Sequence, residues 1–187
     1  MAALLLAGCL ALMGCSTGSP ASPGPNNYGD TATARSRIAP GNARFDLPEF
    51  GFTFDYPEQM NQHLHPSPGD QFFVNLTAEG RSIGVTRQPL RNPVTVANID
   101  QAKSDLDRIM SFFPGSPQAG TRVEVAGWPG VEYNYDYDAS VDSFTHNRRV
   151  VFYAESTRYD IICKSGDEHR RELDSACQTA LTTVRPR

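Results

Sequence analysis

The chain opens with an apolar stretch, continues through a polar segment and then changes to short alternating patterns. Residues 2–13 contain only Ala, Leu, Gly, Cys and Met, a length that suits a secretory signal peptide and is too short for a permanent membrane-spanning helix. Residues 16–43 are rich in Ser, Gly, Pro, Ala and Asn, a composition typical of a disordered spacer. From Phe45 onward, short apolar segments are bounded by turn residues. We therefore predict a signal peptide over residues 1–14, a tether over residues 15–43 and one folded domain over residues 44–187.

Alternation of apolar and polar residues predicts a series of strands in this domain. Aromatic residues at positions 52, 54 and 56 alternate with polar ones before Pro57 ends the segment. Strand-like segments follow at residues 72–76 and 82–88, with a hairpin turn between them. The later strand-like segments lie at residues 122–126, 131–137, 147–155 and 158–164, the first two joined by a Gly-Trp-Pro-Gly turn at residues 127–130.

Apolar residues spaced three and four apart predict two helices. The first follows a capping box of Asn98 and Gln101 and ends before Pro114, and the second follows a capping box of Ser165 and Glu168. The predicted apolar faces are Ile99, Ala102, Leu106, Ile109, Met110 and Phe113 for the first helix, and Leu173, Ala176, Cys177, Ala180, Leu181 and Val184 for the second. Because the strands occur in runs without βαβ alternation, we predict an α+β fold with helices packed on the faces of an antiparallel β-sheet.

The net charge of the chain limits the classes of partner that it is expected to bind. The formal net charge is −4 and the isoelectric point is about 5.5, so the composition indicates no basic face for nucleic acid or for anionic lipid. We therefore predict no nucleic-acid partner, and any membrane attachment needs a means other than charge.

A lipid on a cysteine would supply that attachment. The segment Leu12-Met13-Gly14-Cys15 resembles the bacterial lipobox, and the resemblance implies that Cys15 receives a diacylglycerol before the signal is cut. Cys9 also ends a lipobox-like segment, but cutting there would leave apolar residues at the new N-terminus, whereas Ser and Gly follow Cys15. We predict that Cys15 is lipidated, that palmitate is part of the anchor, and that the protein lies on the extracytoplasmic face of the cell membrane.

The other two cysteines lie in the folded domain. Cys163 precedes a predicted strand–helix turn by about three residues, roughly 10 Å, and Cys177 follows it by about eight residues, roughly 12 Å. The two side chains should therefore lie level. Outside the cytoplasm this arrangement predicts a structural disulfide between Cys163 and Cys177. A redox-active pair is the alternative, although such pairs usually lie close together at a helix N-terminus.

Three segments taken in order carry a resemblance to a known family. They are Gly-Phe-Thr-Phe-Asp-Tyr-Pro at residues 51–57, the Gly-Trp-Pro-Gly turn, and the strand pair of residues 150–153 and 159–163 before a terminal helix. Over residues 45–184 the chain resembles PsbP-like lipoproteins. The resemblance implies an α/β/α sandwich around an antiparallel sheet, which serves an extrinsic photosystem subunit, a nuclear-transport accessory factor and many lipoproteins of high-GC Gram-positive bacteria. It implies no catalytic motif.

The polar residues offer few candidates for chemistry. His63 and His65 are two apart and would begin a metal site on a strand, but Pro66 to Gly69 indicate a loop and no third ligand is evident. His146 and His169 are isolated, and no Gly-x-Ser-x-Gly elbow is present. We predict no catalytic residue, no metal ligand and no cofactor.

Two further features concern surfaces. Residues 131–138 alternate so that one face of a strand is acidic and the other aromatic, which indicates an outer face opposite a core face but would also suit calcium or a cationic partner. Trp128, in a Gly/Pro turn, is a candidate interface residue together with the loop at residues 138–143. The alternative is that Trp128 folds back as a lid on the core.

These observations favour a membrane-anchored lipoprotein whose domain is a non-enzymatic binding or accessory module for another envelope protein. A carrier or sensor of a small apolar ligand or glycan is an alternative, which a sizeable pocket lined by Phe and Tyr would favour. A third alternative is an enzyme of unrecognised type, which would need converging polar side chains in a cleft.

Overall fold

A computed structural model describes residues 38–65, 71–113, 115, 119–137 and 145–187. The elements in these residues are β1 (Asn42–Phe45), β2 (Phe52–Pro57), β3 (Asn61–His65), β4 (Phe72–Ala78), β5 (Arg81–Pro89), α1 (Ile99–Met110), β6 (Thr121–Val125), β7 (Trp128–Asp136), β8 (His146–Ala154), β9 (Thr157–Ser165), α2 (Arg170–Thr182) and β10 (Arg185–Pro186). Short 3-10 turns cover Pro48–Phe50 and Asp167–His169. No helix in these ranges is long and apolar enough to cross a membrane.

The strands form two antiparallel sheets. The larger sheet has seven strands in the order β3-β4-β5-β9-β8-β7-β6, and the smaller one has the order β1-β2-β10. Neighbours in the larger sheet are antiparallel throughout. The predicted α+β class with an antiparallel sheet is therefore confirmed.

Each face of the larger sheet has its own hydrophobic core. On one face, α2 and the smaller sheet cover residues from β4, β5, β8 and β9, and the rings of Phe45, Phe50, Phe52 and Phe54 are fully buried there. On the other face, α1 packs through Leu106 and Met110 on β7 and β8. The sheet is thus a middle layer between two helices.

Alternation along the strands decides which core each side chain enters. In β7, Val131, Tyr133 and Tyr135 are buried in the α1 core, whereas Tyr159 and Ile161 of β9 are buried in the α2 core. Because successive strand side chains point to opposite faces, the alternating pattern of the sequence translates directly into the two layers.

Both predicted capping boxes are wrong. Asn98 turns back into the preceding segment, where its Oδ1 accepts a hydrogen bond from Thr95 N at 2.6 Å and its Nδ2 donates to Pro93 O at 3.1 Å. Ser165 is the last residue of β9 and is fully buried, and α2 begins only at Arg170. Asn98 instead binds the turn that precedes the helix, and Ser165 belongs to the strand before α2.

The sequence pattern does not predict several short strands. β1 begins at Asn42 and pairs with β2, so ordered structure starts within the last residues of the predicted tether. β3 (Asn61–His65) is an exposed edge strand where the sequence predicts a loop. β10 consists of two residues that pair with β2. Pairing with another strand, and not alternation within the segment, makes these segments extended.

Candidate functional site

The predicted lipidation residue and one predicted binding loop lie outside the described residues. Cys15 falls in the segment before Ile38, and residues 138–143 fall between β7 and β8. The lipid anchor and the role of this loop remain predictions.

Cys163 and Cys177 are joined by a disulfide, as the sequence predicts. The bond connects β9 to α2, with the two Cα atoms 6.1 Å apart. Both side chains are buried in the α2 core, at 0 % and 1 % exposure. The bond therefore fixes α2 to β9, the central strand of the larger sheet. This is the arrangement of a structural disulfide.

Trp128 lies at the start of β7 and not within the predicted turn. The turn consists of Ala126 and Gly127, which both have positive φ and connect the paired residues Val125 and Trp128, the conformation of a two-residue hairpin loop. The indole is half-buried and stacks on Phe152, with ring centroids 5.8 Å apart and planes 3° from parallel. Trp128 thus covers the edge of the α2 core, and the sequence left this role open beside that of an interface residue.

The histidines do not form a cluster. His63 and His65 lie on the same face of β3, contrary to the predicted loop, and both are exposed. His146 bridges two carboxylates, with Nδ1 2.8 Å from Asp136 and Nε2 2.8 Å from Asp167. Within the described ranges, no three His, Cys, Asp or Glu side chains gather closely enough to hold a metal ion.

The acidic face of β7 is paired with bases on the next strand. Glu132 Oε1 accepts from Arg148 Nε at 2.8 Å, and Asp136 contacts His146. On the opposite face, Tyr133 and Tyr135 are buried under α1. Burial raises the pKa of Tyr135 to about 12. The aromatic face is therefore core, and two of the acidic side chains balance bases on β8.

A groove that the sequence did not predict lies on the α1 side of the larger sheet. α1 packs on β7 and β8, and beside it a cavity of about 330 Å³ extends over β4, β5 and β9. Phe73 of β4 lines one side, Ile109 and Phe113 line the helix side, and Arg149 and Asp160 lie among the lining residues. We call this cavity the sheet groove.

Two arginines share one carboxylate in the sheet groove. Asp160 Oδ2 accepts from Arg149 Nη2 at 2.8 Å and from Arg158 Nη2 at 3.0 Å. Burial lowers the pKa of Arg149, but the Asp160 carboxylate outweighs this effect and raises the pKa above its ordinary value. By formal charge, two arginines against one aspartate leave this cluster with one positive charge in excess.

The end of α1 exposes a patch of large apolar side chains. Ile109 is 44 % exposed, Phe112 82 % and Phe113 43 %, whereas Met110 between them is 1 % exposed. We call Ile109, Phe112 and Phe113 the α1 apolar patch. The sequence assigns Ile109 and Phe113 to the buried face of the helix, which is wrong. The helix ends at Met110, and the sheet groove lies under its last turn instead of a packed layer.

The interior between the larger sheet and α2 is filled by aromatic side chains. Phe52 packs edge-to-face on Tyr159 at 4.9 Å between ring centroids, and Phe45 stacks on Phe54 at 4.6 Å. Among the described residues, the Phe and Tyr rings of the α2 core therefore pack on one another and do not line a large ligand pocket. The α2 core therefore gives no support to the small-ligand alternative, whereas on the α1 side Phe73 and Phe113 line the sheet groove.

Comparison with known proteins supports the fold and nothing finer. No protein-family model matches the chain, and no curated protein matches it. A crystal structure from Bacteroides thetaiotaomicron VPI-5482 matches with a TM-score of 0.51 at 9 % identity, covering 79 % of this chain and 49 % of that one. This chain thus spans about half the length of that protein.

Two further solved structures are similar. The solution structure of cyanobacterial PsbP (CyanoP) from Synechocystis sp. PCC 6803 matches with a TM-score of 0.52 at 10 % identity, covering 82 % of this chain and 96 % of that one. LpqN of Mycobacterium tuberculosis, which is involved in cell envelope biogenesis, has a TM-score of 0.45 at 10 % identity over 76 % of this chain and 83 % of that one, too low to carry an argument. With its antiparallel sheet between two helices, this chain has a PsbP-like α+β fold.

Proposed function

We propose that this protein is a lipoprotein of the bacterial cell envelope, anchored through Cys15, whose PsbP-like domain docks onto another envelope protein through the α1 apolar patch. The role is one of binding or assembly and involves no chemistry of its own. A lipid on Cys15 and the predicted tether would hold the domain near the membrane, where such a partner is found.

The exposure of the α1 apolar patch carries this proposal. Phe112 is 82 % exposed in the turn that follows α1, and Ile109 and Phe113 flank it. Single exposed apolar residues are common, but three large ones side by side at the rim of a groove are typical of an interaction site. Aromatic side chains are favoured anchors of protein interfaces, because they bury a large area with few rotatable bonds.

Site-specific photo-crosslinking in intact cells tests the proposal. A photoreactive phenylalanine analogue at position 112 should crosslink to one discrete membrane or envelope protein. The matched control is the same analogue at position 64, because Leu64 is also a large exposed apolar residue, at 62 %, on the edge strand β3.

Competition then shows whether the contact is specific. Excess wild-type protein should suppress the crosslink from position 112, and the Phe112→Ser variant should not. Equal crosslinking from positions 112 and 64, or a crosslink that both competitors suppress equally, would contradict docking through the α1 apolar patch.

A further inference from the structure

A second cavity adjoins the sheet groove on the other side of Arg158. It has a volume of about 300 Å³ and lies between α1 and the segment after β5. Leu90, Val94, Leu106 and Tyr153 give it largely apolar walls. Arg158 and Ile109 line both this cavity and the sheet groove. We call the second cavity the apolar slot.

The two cavities together are positively charged in a chain of opposite net charge. Arg87, Arg91, Arg149 and Arg158 line them, against Asp105 and Asp160. Four arginines against two aspartates leave an excess of two positive charges, although the whole chain has a formal net charge of −4. A concave surface of this charge attracts an anionic group.

Arg158 lines both cavities and has N–H donors that bind none of the described residues. Its Nε donates to Asp160 Oδ1 at 3.3 Å, and its Nη2 donates to Asp160 Oδ2 at 3.0 Å. Its Nη1 donates to none of the described residues, and the side chain is 18 % exposed. The Asp160 carboxylate holds the guanidinium in place, so the free edge is preorganised for a planar, two-oxygen acceptor.

We propose that the docking partner presents an acidic side chain next to a large apolar side chain, that Arg158 binds the carboxylate, and that the apolar slot takes the apolar side chain. This inference rests on the proposed docking function and names the chemistry of the partner. A single carboxylate matches the one positive charge in excess on the Arg149–Asp160–Arg158 cluster. The slot beside it is too small for a folded element but accommodates one side chain.

Selection from a random heptapeptide display library tests the proposal on the full chain. Peptides that wild-type protein retains should combine Asp or Glu with a neighbouring Leu, Phe, Ile or Trp. Selection on the Arg158→Gln variant should keep the apolar preference and lose the acidic one. An apolar preference with no acidic preference on wild-type protein would overturn the proposal and leave docking itself intact.

Affinities of one selected peptide and of its Asp→Asn or Glu→Gln analogue then measure the charge contribution. We expect the neutral analogue to bind about tenfold more weakly, the size of one charge-assisted hydrogen bond. This difference should shrink as the salt concentration rises. Equal affinity of the two peptides at low salt would overturn the proposal.

A second variant tests the site without disturbing Asp160. Gln88 is exposed and lies directly opposite Arg158 in the β5–β9 register, so Gln88→Glu places a competing carboxylate beside the free edge of Arg158. We expect about tenfold weaker peptide binding. Gln62→Glu is the matched control, because Gln62 is exposed on β3 and lines neither cavity, and it should bind as wild type does.

The remaining outcomes separate this inference from the docking function. If Phe112→Ser weakens peptide binding more than Leu64→Ser does, while Gln88→Glu and Arg158→Gln change nothing, docking stands and the carboxylate site is wrong. If no selected peptide depends on Phe112, both proposals fail. If phosphatidylglycerol vesicles, and not peptides, bind in an Arg158-dependent manner, the occupant is a lipid and the proposal is overturned.

Discussion

Replacement of Asp107 tests how α1 is held on the sheet, because this carboxylate connects three parts of the fold. Its Oδ1 accepts hydrogen bonds from the Tyr133 hydroxyl at 2.7 Å and from the Gly120 amide at 2.9 Å. Its Oδ2 pairs with the Lys103 ammonium at 2.6 Å. Burial raises the pKa of Asp107, but the hydrogen bonds from Lys103, Gly120 and Tyr133 outweigh this effect and lower the pKa below its ordinary value.

The Asp107→Ala variant loses all three contacts. Tyr133 is 1 % exposed, so its hydroxyl loses its acceptor in a buried position, and an unsatisfied buried group costs about 1–3 kcal/mol. The ion pair with Lys103 contributes less, because the two side chains are 22 % and 20 % exposed and are screened by solvent. We expect the free energy of unfolding to fall by about 3 kcal/mol, which lowers Tm by about 6–12 °C in a domain of this size.

Asp107→Asn is the matched variant. The amide keeps Oδ1, which accepts both the Tyr133 and the Gly120 hydrogen bonds, and loses the charge and the Oδ2 acceptor that pair with Lys103. We expect a loss of about 1 kcal/mol. Urea unfolding followed through the fluorescence of Trp128, the single tryptophan, measures both variants. An Asn variant as unstable as the Ala variant would refute the assignment of the stability to the shared Oδ1.

The pH dependence of stability gives an independent check on the role of the Asp107 carboxylate. Because its folded pKa is lowered, the charge of Asp107 stabilises the protein above the unfolded pKa of about 3.9, and this stabilisation is lost as the pH falls through the folded pKa. The difference in stability between wild type and Asp107→Asn should therefore shrink below about pH 4. A difference that stays constant down to about pH 2 would show that the charge plays no part.

Three other predictions follow from the cysteines and the tryptophan. Peptide mapping without reductant should recover Cys163 linked to Cys177, and reduction should cost about 3 kcal/mol of stability; free thiols at both positions in folded, oxidised protein would contradict the pairing. Cys15→Ala should release the protein from the membrane fraction or leave the precursor uncut, whereas Cys9→Ala should leave attachment intact; the reverse pattern would move the lipid to Cys9. Trp128→Ala should lower stability by about 2 kcal/mol, because the indole covers Phe152, and should leave the crosslink from position 112 unchanged; a stable variant that loses the partner would make Trp128 the interface residue.

The sequence by itself determined the parts of the fold that depend on local periodicity. Alternation along residues 131–137 predicts one buried aromatic face, and Tyr133 and Tyr135 indeed lie in the α1 core. The pairing of Cys163 with Cys177 was also predictable, because a strand and the helix that follows it must lie side by side over a short turn. Side-chain direction in strands and helices repeats with a fixed period, so these features need no knowledge of distant residues.

Pairing with another strand decided the edges of the two sheets. β1 and β10 are extended because they pair with β2, and β3 because it pairs with β4. The cap of α1 was decided within its own segment, since Asn98 binds Thr95 and Pro93 and does not form a capping box. Strand formation at an edge depends on pairing with another segment, which the residue pattern within the edge strand does not specify.

The candidate site itself was decided by the tertiary structure alone. Ile109 and Phe113 have the spacing of a buried helix face, but this spacing shows only which side of a helix is apolar and not whether another layer covers it. Here α1 ends above the sheet groove, so the same side chains are half exposed. Arg149 and Arg158 lie on different strands and meet only because β8 and β9 pair in a register that places both beside Asp160. A site built from side chains on several elements depends on how those elements pack, and the sequence pattern of each element alone does not specify that packing.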